Sequence, residues 1–117
     1  MPALAIHTPT SKARSQNYRS FAATVQPNGK GISIAEQCSI SQAEFSQLTP
    51  GLDVIVLDRE GQNRAEGKLN GLRGRGPAGN GVQMYDVEIA GLRIASYSPL
   101  PLTPNGTMFN RRGIRIL

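Results

Sequence analysis

Leu52-Asp53-Val54-Ile55-Val56-Leu57-Asp58 is the stretch on which the fold turns. Its central β-branched residues favour a pleated, buried strand. Arg59-Glu60-Gly61 supplies turn chemistry directly after it. Beyond that turn, Arg64, Glu66 and Lys68 alternate with Ala65, Gly67 and Leu69, the period of two that marks a half-buried strand. Gly67 is placed to relieve crowding where this strand bends. Residues 82–89 read as the next strand, with Tyr85, Val87 and Ile89 on one face. Ala90-Gly91 reads as a tight turn, and residues 92–97 as a further strand. Residues 71–81 carry five glycines in eleven positions, together with Arg73 and Arg75. They read as a long, flexible hairpin loop projecting as a finger.

On the N-terminal side, Ser41-Gln42-Ala43-Glu44 matches a capping box, and Phe45 and Leu48 share a face three residues apart. A helix of about two turns is expected over 41–48, stopped by Thr49-Pro50-Gly51. Residues 21–25 read as a short strand. Pro27-Asn28-Gly29-Lys30 would turn it back into a strand over 31–36, with Ile32 and Ile34 on one face. Residues 1–20 contain Pro2 and Pro9 and show no period of 3.6 or 2, so they read as an extended basic arm. On the C-terminal side, Pro99, Pro101 and Pro104 force an extended path. Asn105-Gly106 marks a turn, and residues 107–109 and 114–117 are candidates for short closing strands.

A chain of 117 residues fits one domain. Several short strands with one small helix predict a mainly β fold, a single SH3-like or OB-like β-barrel over 21–117. The arm over 1–20 and a Pro-rich C-terminal segment would flank it. One cysteine excludes an intramolecular disulfide framework. No apolar run approaches the ~20 residues of a membrane span, and the first residues are too short for a secretory signal. The expected location is the cytoplasm, or a particle assembled there.

Catalytic chemistry is sparse. His7 and Cys38 are the sole imidazole and thiol, too few for a structural zinc site or for a nucleophile with a partnered base. Gly74-Arg75-Gly76-Pro77-Ala78-Gly79 matches G-x-G-x-x-G, but the dinucleotide motif must open a helix, and a strand is expected after it here. The segment from Gly61 to Lys68-Leu69 is one residue too long for a phosphate loop and has Leu where a magnesium-binding hydroxyl belongs. Asp58 and Glu60 flank a turn, where acidic residues are ordinary. Asn105-Gly106-Thr107 fits a glycosylation sequon and reads as a turn. No enzyme activity and no cofactor is expected.

The charge balance is 13 basic against 8 acidic residues, a net +5, and ten of the basic residues are Arg. They fall into three clusters: Lys12, Arg14 and Arg19; Arg73 and Arg75; Arg111, Arg112 and Arg115. These eight are the candidate interaction residues, because Arg forks suit acidic protein surfaces and phosphates alike. The expectation is a non-enzymatic structural or assembly protein. It would dock to protein subunits, either copies of itself or a larger assembly, through the arm, the glycine finger and the tail. Cement, stopper or adaptor proteins of phage virions are the analogy. The alternative is a small basic nucleic-acid-binding module, for which the aromatic residues are too scattered to form an evident stacking platform.

Overall fold

The structure is a computed structural model that describes residues 2–8, 20–58, 60, 62–79, 81–110 and 112–117. Among these residues there are six strands and two short helices. They run in the order β1 (Ala3–His7), α1 (Phe21–Val25), β2 (Ile32–Ser41), α2 (Gln42–Phe45), β3 (Asp53–Asp58), β4 (Asn63–Gly79), β5 (Val82–Ala95) and β6 (Ile114–Ile116). The strands form one sheet, ordered β2-β5-β4-β3-β1-β6, which curls into a half-barrel.

The β-branched run leads as expected. It forms β3, with Val54 and Val56 fully buried, held antiparallel to β4 on one side and parallel to β1 on the other. The concave face closes over Leu4, Ile6, Ala65, Leu69, Val87 and Ile89. On the convex face Ala5 and Leu57 are covered by Leu100, Met108 and Phe109 from the stretch that links β5 to β6. That stretch is anchored where the Leu100 amide donates to Met108 Sδ at 3.3 Å. The Asn105-Gly106 turn forms, with the Gly106 amide bonded to the Thr103 carbonyl and Gly106 at φ +77°.

Several expectations are corrected. Residues 3–7, read as part of an arm, are an internal strand. Ala3-Leu4-Ala5-Ile6 is apolar on both faces, so no alternation shows, and both faces are covered here. Residues 9–19 of the expected arm lie outside the described residues. Residues 21–25, read as a strand, form α1. Ser20 caps it, accepting from the Ala23 amide at 3.2 Å, while Phe21 and Thr24 are buried. The turn after it therefore joins a helix to a strand. Asn28 organises it by accepting from the amides of Lys30 and Ile32, and the left-handed residue is Gly31. In the first half of β2 the buried residues are Ser33 and Ala35, with Ile32 and Ile34 half-buried.

The expected glycine finger is a ladder. β4 runs through Gly79 and pairs with β5 from Gly71↔Glu88 to Gly79↔Val82. Extra residues at Asn70, Arg75 and Ala78 bulge β4 and let the ribbon curl. Likewise Ala90-Gly91 is not a turn: β5 continues to Ala95, with its own register shift opposite Glu66 and Lys68. Residues 107–109 form bends rather than a strand. The capping box holds as expected, although α2 ends at Phe45.

Candidate interaction site

Lys12, Arg14, Arg19 and Arg111 lie outside the described residues, so four of the eight candidate residues can be placed. Arg75, the extra residue of a β4 bulge, binds both oxygens of Asp86 at 3.2 and 3.1 Å and lies 3.6 Å from Glu36. Arg112 grips both oxygens of Glu44 at 2.5 and 3.1 Å and donates to the Ser39 carbonyl at 3.0 Å. Arg115 bonds the carbonyls of Pro101 and Met108, stitching the convex-face cover to β6. Arg73 is exposed and has no ion pair among the described residues. Three of the four arginines therefore hold the fold together. Their partners lie on other elements, which sequence proximity cannot reveal.

Asp86 is the organising carboxylate of the β2-β5-β4 half. It is buried on β5 between two bulges. In β2 the extra residue lies between Ala35 and Cys38, and Gln37 takes φ +56°, a region non-glycine residues seldom occupy. The bulge turns the Gln37 amide away from the ladder, and Asp86 Oδ1 accepts from it at 3.1 Å. One buried acid thus pairs an orphaned amide on one neighbour and a guanidinium on the other.

The clasp between Arg112 and Glu44 joins the two ends of the sheet. Glu44 belongs to the α2 capping box, where Ser41 Oγ accepts from the Glu44 amide and Glu44 Oε1 accepts from the Ser41 amide at 2.8 Å. Asn110 Nδ2 adds a bond to Glu44 Oε2 at 3.2 Å. Burial pushes the Glu44 carboxyl up. The Arg112 bonds, the bonds to Ser41 and the Arg112 charge outweigh that and hold it below its ordinary value.

Beside the clasp is a narrow cleft between β2 and the β1–β6 pair, lined by His7, Thr8, Thr24, Gln37, Cys38 and Arg112 among others. Burial, with a smaller push from Asp86, raises the Cys38 thiol to about 12, so it is a protonated core group and not a nucleophile. The Thr8 hydroxyl is buried there without a hydrogen-bond partner among the described residues. The ring of His7 lies 5.4 Å from that of Phe109. Among the described residues no three His, Cys, Asp or Glu side chains converge in a way that could hold a metal ion.

Five basic residues, Lys12, Arg14, Arg19, Arg59 and Arg111, lie outside the described residues, which leaves eight basic against eight acidic residues among those described. The described body is therefore charge-balanced. Thr8, Asp58 and Arg112 stand at one end of the sheet. There the Thr8 amide bonds the Leu57 carbonyl at 3.0 Å and the His7 amide bonds the Gly113 carbonyl at 2.8 Å.

Two surface features escaped the sequence. Phe45 and Tyr85, far apart in the chain, stack with centroids 5.1 Å apart and 22° between planes. Ile94 and Leu102 are 66% and 63% exposed. Ile94 lies where β5 has outrun β2, whose pairing with β5 ends at Ile32↔Ala90. No described helix is long and apolar enough to cross a membrane. No protein-family model, no curated protein and no solved structure matches the chain.

Proposed function

We propose that this chain is a non-enzymatic assembly subunit that docks to further copies of itself through aliphatic surface. A virion component of cement, stopper or adaptor type, assembled in the cytoplasm, is the setting in which we read it. The observation that carries this reading is how the surface is used. Arg75, Arg112 and Arg115 are engaged by partners within the fold itself, while Ile94 and Leu102 stand about two-thirds exposed. Interface cores are depleted of charge, and an apolar group on the outside is meaningful where strand backbone beside it is also unpaired.

A second reading is favoured by a different observation. The whole excess of positive charge falls on Lys12, Arg14, Arg19, Arg59 and Arg111. A polyanion such as nucleic acid would be held by those residues through counterion release, and steeply less so as salt rises.

Two multiple variants separate the readings by analytical ultracentrifugation and nucleic-acid retention. Ile94→Asp with Leu102→Asp is expected to abolish self-association and leave any nucleic-acid retention unchanged. Lys12→Ser with Arg14→Ser and Arg19→Ser is expected to leave self-association intact. The reverse pattern would displace the assembly reading in favour of polyanion binding.

A further inference from the structure

Sheet edges are where strands recruit other strands, and this sheet treats its edges unequally. The β2 edge carries a bulge at Gln37, and its Ser39 carbonyl is occupied by Arg112. Both are recognised ways of blocking strand addition. Beyond the bulge that β5 itself makes at Gly91-Leu92, the stretch from Arg93 to Ala95 has neither a bulge nor an occupied carbonyl. Its register pairs are all with β4: Arg93↔Glu66, Ile94↔Ala65 and Ala95↔Arg64. Among the described residues nothing pairs with its other side. It has no Pro or Lys, and Ile94, opposite fully buried Ala65, is left 66% exposed because no neighbouring strand covers it.

We propose that residues 93–95 of β5 pair antiparallel with the same residues of a second copy, across a two-fold axis centred on Ile94. The inference deepens the assembly reading and rests on it. The segment is self-complementary in this register. Ile94 meets Ile94 of the other copy and covers the exposed aliphatic surface. Arg93 meets Ala95, so the two guanidinium groups do not stand directly opposite one another, an arrangement that is destabilising across a ladder. Ladder pairing places Arg93, Glu66, Arg64 and Ala95 on one face. The incoming Arg93 therefore lands on the face that carries the half-exposed Glu66 carboxylate. Such an interface is isologous and closes as a dimer of two half-barrels.

The register makes a geometric demand that cysteine cross-linking tests. Directly opposed residues have Cα atoms about 4.5–5.5 Å apart, within disulfide reach, whereas diagonal neighbours at about 7–8 Å are outside it. On mild oxidation of the full chain, Ile94→Cys is expected to give a disulfide-linked dimer and Arg93→Cys to remain unlinked. The wild type, with Cys38 buried, serves as the control. Ile94→Lys, a change at an exposed position that leaves the thermal transition in place, is expected to reduce the dimer to monomer by light scattering. A wild-type oligomer that survives Ile94→Lys, without selective cross-linking at position 94, overturns the edge pairing and leaves the assembly reading standing. A wild type that is monomeric at every concentration overturns both.

Discussion

The backbone amide of Gln37 donates to Asp86 Oδ1 at 3.1 Å, and the same carboxylate holds Arg75 by both oxygens. Two bulges on strands that flank β5 are thereby fixed by one residue. Removing it should unfix both. Asp86→Ala is expected to cost about 1–2 kcal/mol, since it orphans a part-buried amide and removes the carboxylate that holds Arg75. Asp86→Asn, which keeps an acceptor for Gln37, should cost about half as much. Urea titration of the three proteins checks the order. Equal stability of Asp86→Ala and wild type would deny Asp86 this part.

The clasp across the half-barrel should make stability acid-sensitive. Arg112 and Ser41 hold the folded Glu44 carboxyl below its ordinary 4.5. A group whose folded pKa is depressed contributes stability in full above the unfolded value and loses it as pH falls through the folded value. Urea midpoints should therefore fall as pH drops below about 4.5. Glu44→Gln should remove that component of the slope, with a lower midpoint at neutral pH. Arg112→Ala should cost about 2 kcal/mol at pH 7, where a charge-assisted pair and the bond to the Ser39 carbonyl are both lost.

Two glycines offer a matched comparison. A Cβ at Gly67 would lie 2.8 Å from Ile89 Cγ2 and 2.9 Å from the Ala90 carbonyl oxygen, and backbone cannot move aside as a side-chain tip can. A Cβ at Gly29 would meet nothing within 4 Å. Gly67→Ala is expected to destabilise by about 2 kcal/mol or more, and Gly29→Ala by less than about 0.5 kcal/mol. Thermal melts of both variants measure the contrast.

The placement of β1 can be tested by a single truncation of a side chain. Leu4 is fully buried in the concave core. Leu4→Ala should cost about 3 kcal/mol, in the range for a core leucine whose cavity cannot collapse fully. A peripheral arm would tolerate the same change without measurable loss in a denaturant titration.

What could be read from the chain was local. The β-branched run 52–58 announced β3, the Ser41–Glu44 spacing announced the cap of α2, and the alternation around Gly67 announced a bent strand. What could not be read was non-local. β1 pairs with β3 and β6, both remote in sequence, and Ala3-Leu4-Ala5-Ile6 carries no polar face to betray its register. Phe21-Ala22-Ala23-Thr24-Val25 contains residues that favour strands, and five residues are too few to show a helical period; tertiary burial of Phe21 and Thr24 decides the outcome. The glycines of 71–81 read as loop because glycine is depleted in strands. Here several of them serve a bulged, curled ladder. The arginines read as free contact points because Asp86, Glu44, Pro101 and Met108 reach them only in the folded chain.

Light scattering coupled to size exclusion, on the full chain at low and high salt, separates self-assembly from polyanion binding. A discrete oligomer whose mass is unchanged by salt is expected, because aliphatic surface and strand edges are weakly screened while exposed ion contacts are strongly so. A monomer that carries nucleic acid at low salt and sheds it at high salt would contradict the assembly reading.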